Sequence, residues 1–256
     1  MAARHTPARR RPGPTARRLA AALAVGLYLA PPAAGGAPDA LEQLGLAGSS
    51  ASVAPSCPGA PCEVITATTG FQAAIAGRHN TMVVQRPGKV TSWSIKLAAL
   101  TPDQIAYFAK AAHGPARAGL VILHQGAAYR FRVTDAGPLV TLTPYFGRTM
   151  SFDLARPIPV RPGDVVALAV PTWAPALAVS LDRATGWRAS RPRGSCTQLF
   201  RPTTQLAAGA LTKYECVYRT ARLTYGATVA DDPTPPKSPA TSRKPERAPK
   251  KSLRRR

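Results

Sequence analysis

The segment 182–196, "DRATGWRASRPRGSC", holds the chain's densest set of side chains suited to recognition: Arg183, Trp187, Arg188, Arg191 and Arg193. Guanidinium forks grip phosphate, sulfate and carboxylate bidentately, and an indole stacks on a sugar or a base. The interspersed Gly and Pro suggest an exposed loop. These five residues are the candidate binding set, and anionic polysaccharide or another envelope polyanion is the partner they suggest. A plainer reading has Trp187 closing a core beside solvated arginines, since tryptophan is largely buried on average.

Catalytic chemistry has less to draw on. The four histidines are His5, His79, His113 and His124. None belongs to an H-E-x-x-H motif, and the chain has no G-x-S-x-G, no P-loop and no dinucleotide fingerprint. A carboxylate pair for glycoside hydrolysis would come from Glu63, Asp135, Asp153, Asp182 or Glu215, and no spacing singles out two of them. Asp103 and Asp164 already have roles at a helix start and in a turn. Neither a metal site nor a cofactor is expected.

The elements that must position these residues are mostly strands. From Cys62 the apolar period is two. "KVTSWSIKL" puts Thr91, Trp93, Ile95 and Leu97 on one face, and with "VVQRPGKV" before it residues 82–97 read as a hairpin. "GLVILH" is apolar throughout, as a central strand is. "YRFRV" turns Tyr129, Phe131 and Val133 inward and Arg130 and Arg132 outward. "VPTWAPAL" places Trp173 in a connection at the rim, with its indole folded onto the core ahead of any role as a glycan platform. About ten short strands imply an all-β, antiparallel β-sandwich of jelly-roll type. One helix interrupts them. In "TPDQIAYFAKAAHG", Thr101 is the N-cap, Pro102 opens the helix, Gln104 completes a capping box and Gly114 stops it.

The domain expectation is a signal peptide over 1–37, a spacer over 38–61, a sandwich over 62–230 and a disordered basic, Pro-rich tail over 231–256. "LAAALAVGLYLA" is a 12-residue apolar run behind six arginines. At 1.5 Å per residue it is too short for a stable span, so no membrane span is expected in the mature chain. The formal charge is +22, of which the leader carries six basic residues and the tail nine basic and three acidic. The 19 basic and nine acidic residues between them leave about +10 on the domain. Such a domain favours anionic partners, although no nucleic-acid motif accompanies the charge. Four cysteines in an exported chain suggest two disulfides. Of three pairings, Cys57–Cys62 and Cys196–Cys216 close the shortest loops.

"YFGRTMSFDL", "VALAVPTWAPAL", "GWRASR" and "YECVYRTARLTY" resemble segments of uncharacterised secreted β-rich proteins of soil actinobacteria, over about Val90 to Val229. The resemblance implies export and one β-rich domain, and transfers no activity. The expected function is therefore that of a secreted or envelope-associated, non-catalytic module binding anionic polymers or glycans. A hydrolase of extracellular polysaccharide and a structural envelope protein without a ligand stand as alternatives.

Overall fold

The computed structural model describes residues 41–45 and 53–231. Contacts divide the chain into Met1–Ala37 and Pro38–Arg256, and the domain below belongs to the second unit. The leader and the tail beyond Asp231 lie outside the described residues.

The domain is built from antiparallel strands in chain order: β1 (Leu41–Gly45), β2 (Ile65–Ile75), β3 (Arg78–His79), β4 (Gly88–Lys96), β5 (Arg117–Gln125), β6 (Arg130–Ala136), β7 (Val140–Thr141) and β8 (Thr149–Val160). There follow β9 (Val165–Ala174), β10 (Leu177–Ala178), β11 (Gly186–Ala189), β12 (Leu211–Lys213), β13 (Cys216–Arg219), β14 (Arg222–Leu223) and β15 (Tyr225–Asp231). One sheet runs β1-β15-β4-β8. The larger runs β12-β6-β5-β9-β2-β11-β13, with β3 on β2 and β7 on β5. This is the all-β sandwich that the strand spacing implies, with the larger sheet curled into a half-barrel. Its two edge strands, β12 and β13, are consecutive in the chain and are joined only by Tyr214 and Glu215.

Apolar burial welds the sheets together. Trp93 and Ile95 of β4, Tyr225 and Val229 of β15, and Leu120, Ile122 and Leu168 of the large sheet belong to one buried cluster. The Tyr225 hydroxyl donates to the Val166 carbonyl at 2.8 Å, bonding the small sheet to the large one. Burial pushes that phenol's pKa well above its ordinary value, so it remains a neutral donor.

α1 (Pro102–Ala111) forms where its capping signals put it. The Gln104 amide donates to Thr101 Oγ1, and Gln104 Oε1 accepts from the Thr101 amide at 3.0 Å. Phe108 is its buried contact, 5.3 Å from the Trp173 ring. Trp173 is fully buried, and its Nε1 donates to Gly114 O at 3.1 Å, so it plugs the core.

Four local expectations are corrected. The spacer contributes β1, paired with β15 from Leu41↔Ala230 to Gly45↔Gly226, and the last strand runs one residue past the expected domain end to Asp231. No 82–97 hairpin forms. Val84 N–H donates to Asp164 O and Val83 bridges Val165, so this stretch leans on β9, while β4 pairs with β8 and β15. A bulge between Val90 and Ser92 turns Val90 to the buried side with Trp93 and Ile95, and Thr91 is only half-buried. Trp173 is not in a rim connection either. β9 continues to Ala174, since beyond Ala169 its ladder partner is β2, where a register shift between Thr66 and Thr68 accommodates Pro171.

Cys57–Cys62 and Cys196–Cys216 are both bonded. Two disulfides fit an oxidising, extracellular-type environment. No helix among the described residues is long and apolar enough to cross a membrane.

Candidate functional site

The segment 182–196 is not a single exposed loop. Its centre is β11, an inner strand between β2 and β13. Strand alternation therefore sends its candidates to opposite faces. Trp187 is 4% exposed and stacks on Tyr218 with centroids 4.5 Å apart, so it is a core residue. Arg191 is also buried. Its Nη2 donates to Thr66 O at 2.6 Å and to Leu199 O at 2.7 Å, and its Nη1 donates to Tyr218 Oη at 2.9 Å. It clips the long excursion after β11 to β2 and has little left to offer a ligand. Arg183 is exposed on a turn that Asp182 ties down by accepting from the Ala184 amide. Arg193 is exposed too, and its backbone N–H donates to Glu215 Oε2 at 2.9 Å. That bond is the main cause holding the Glu215 carboxyl below its ordinary pKa.

Arg188 alone faces the hollow of the curled sheet. It lies directly opposite Phe71 of β2 on one side and Val217 of β13 on the other. These residues line a cleft of about 530 Å³ at the mouth of the curl, together with Phe131, Tyr129, His79 and Arg219. Behind the mouth, Phe71, Phe131 and Tyr214 form an aromatic floor with centroids 5.0–5.8 Å apart. Burial drives the Tyr214 phenol pKa far up, so the floor carries no charge.

The rim is organised around Arg188. Its Nη1 donates to Tyr214 O at 2.9 Å, and its guanidinium carbon lies 3.9 Å from the centroid of the Tyr129 ring. The Tyr214 amide donates in turn to Tyr129 O at 2.9 Å. Cation, ring and backbone thus hold one another in place. Tyr129 is 52% exposed despite this contact, so its ring is open to solvent while Arg188 occupies one side.

The alternation of "YRFRV" predicts Tyr129 on the inward face of a strand, yet it occupies the β5–β6 turn. Arg130 N–H donates to Ala127 O at 3.1 Å, and the two residues between, Ala128 and Tyr129, have φ of 55° and 57°. This is a type I′ turn, whose two left-handed positions favour Asn-Gly. Alanine and tyrosine there each cost about 1 kcal/mol or more. Such a departure from local preference is the kind found at functional sites. Nothing in "GAAYR" announces it, because the turn lacks its usual residues. The seven-residue gap between the apolar run ending at Leu123 and the next core residue, Phe131, is the available clue.

The acids weighed for hydrolysis are scattered. Asp182 holds its own turn, accepting also from Thr185 Oγ1 at 2.7 Å, and Glu215 engages Arg193 and Lys213. Asp135 accepts from Ala136 N and from Arg156. Glu63 lines a separate cleft of about 470 Å³ beside Trp187 and Arg191, and Asp153 lies on β8. Among the described residues no group of three His, Cys, Asp or Glu side chains could hold a metal ion.

No family model, curated protein or solved structure matches this chain.

Proposed function

We propose that this protein is an exported binding module for acidic glycans, and that the mouth of the curled sheet takes one sugar ring bearing a carboxylate. The observation that carries this reading is the Arg188–Tyr129 pair, a guanidinium locked 3.9 Å over a half-exposed aromatic ring. Barrel mouths are common ligand sites, and this one joins an apolar floor to a few placed polar groups. The exposed part of the tyrosine ring offers a surface for a pyranose. The remaining guanidinium hydrogens of Arg188, with Arg219 on the adjacent strand β13, offer charge-assisted donors to a carboxylate. A domain charge of about +10 adds long-range attraction for a polyanion.

The test is calorimetric titration of the full chain with oligogalacturonides, using neutral oligosaccharides of equal length as the comparison. Acidic chains are expected to bind at least tenfold tighter. Tyr129→Ala removes a stacking surface of about 1 kcal/mol, a fall of roughly fivefold that persists at high salt. Arg188→Lys keeps the charge but loses the planar fork, and a comparable or larger fall is expected. If both variants bind like the parent, the mouth is not the site.

A further inference from the structure

The opposite face of the large sheet carries a further cleft, of about 460 Å³. Arg132 follows Phe131 on β6, so the residue that floors the mouth and the residue that lines this cleft point to opposite sides. His124, directly opposite Arg132 on β5, and Arg161, in the turn before β9, complete a group of three basic side chains around it.

Their surroundings direct these heads: His124 is paired with a carboxylate, while Arg132 and Arg161 have no carboxylate partner among the described residues. Asp164 is buried, with Oδ1 3.0 Å from His124 Nδ1 and Oδ2 accepting from the Arg161 amide at 2.9 Å. Bonded through Nδ1, the imidazole has Nε2 on its far edge, away from Asp164. Arg132 is oriented by a donation from Nη1 to Gly209 O at 2.9 Å, which leaves the rest of its fork free. The other carboxylate at the cleft, Asp135, is already engaged by the Ala136 amide at 2.8 Å and by Arg156 at 3.3 Å.

A neighbouring cleft of about 340 Å³ shares His124 and Arg132 and adds Arg130. Arg130 stands directly opposite Lys213 of β12, whose ammonium is paired with Glu215 at 3.4 Å, so Arg130 adds a further basic side chain beside the three.

We propose that His124, Arg132 and Arg161 form a phosphoryl-binding site, with Asp164 as the positioning residue that orients His124. Donors from three separate strands and turns suit the oxygens of a tetrahedral dianion. A planar carboxylate is satisfied by a single fork. The site is independent of the mouth, and its ligand is either free phosphate or a phosphate carried on a polymer.

The experiment follows the imidazole nitrogens of the full-length, ¹⁵N-labelled chain by NMR during titration with inorganic phosphate, methyl phosphate and dimethyl phosphate. Chloride holds the ionic strength constant. Phosphate is expected to give a saturable shift of His124 Nε2. His124→Gln, Arg132→Ala and Arg161→Ala alter exposed side chains and leave the fold intact, and each is expected to weaken phosphate about tenfold when binding is read by calorimetry. Tyr129→Ala, at the mouth, leaves phosphate binding unchanged, so failure of one site is distinguishable from failure of the other. Asp164→Asn is expected to weaken phosphate without removing any cationic contact, its fold being checked by its melting curve. Dimethyl phosphate binding within threefold of phosphate assigns the site to a diester in a chain, and a tenfold gap assigns it to free phosphate or a chain end. A shift no larger than chloride produces, or phosphate affinity unchanged in all of the His124, Arg132 and Arg161 variants, overturns the proposal.

Discussion

Gly70 shows how tightly the site depends on a residue with no side chain. It lies on β2 beside β11, where a Cβ would come within 2.7 Å of Trp187 Cζ3 and 2.9 Å of Arg188 O. Neither neighbour can yield easily. Trp187 is sandwiched against Tyr218, and the Arg188 backbone is held in register by β2 and β13. Gly70→Ala is therefore expected to destabilise the domain by about 1–3 kcal/mol through overpacking. Because the clash falls on the strand that presents Arg188, mouth binding is expected to fall as well, even per folded molecule. Urea denaturation gives the first quantity, and titration of the folded variant gives the second. Unchanged stability would mean that Trp187 is free to move, contrary to its burial. For the five arginine and tryptophan candidates in 182–196, composition groups the residues without separating their structural roles. Arg188 and Arg191 look alike in sequence. Three positions apart along this chain, one faces a hollow and the other is bonded to three oxygens in the interior.

Among the elements, the β5–β6 hairpin sets stability against exposure of a ring. Its type I′ turn carries Ala128 and Tyr129 where Asn and Gly fit with least strain. Replacing both, Ala128→Asn with Tyr129→Gly, is expected to stabilise the domain by about 1 kcal/mol and to abolish stacking at the mouth. A higher melting temperature with lost acidic-glycan binding is the expected pair of results. A lower melting temperature would show that the Arg188–Tyr129 contact outweighs the backbone strain. Legibility differed among elements for a physical reason. α1 was readable because capping and dipole signals act within a few residues of each other. β5 was readable because burial on both faces requires a continuous apolar run. β11 was not, because "GWRA" owes its strand state to β2 and β13, which are distant in the chain. The same holds for β1, whose "LEQLG" gains its extended conformation from pairing with β15.

Across the whole molecule, the mouth exists because the large sheet curls until its two edge strands are only two residues apart in the chain. The sequence pattern supported a sandwich but carried no sign of this near-closure, which depends on which strands become neighbours. The Cys196–Cys216 disulfide reinforces it, since Cys216 opens the edge strand β13, whose Val217 and Arg219 line the mouth. The bond spans 20 positions of sequence, against five for Cys57–Cys62. Chain-entropy reasoning assigns about 3 kcal/mol to the longer loop and about 2 kcal/mol to the shorter. Replacing Cys196 and Cys216 by Ser is thus expected to cost about 1 kcal/mol more than replacing Cys57 and Cys62, as read from urea unfolding free energies with the slope fitted separately for each variant. The two variants should also part in function. Losing the longer staple frees β13 from the excursion that Arg191 clips, so acidic-glycan affinity is expected to fall together with stability. Losing the shorter one leaves β11, β13 and the 128–129 turn untouched, and affinity per folded molecule is expected to match the parent. Equal binding by both variants would show that the β11–β13 ladder and the Tyr214–Tyr129 hydrogen bond hold the mouth open without covalent help.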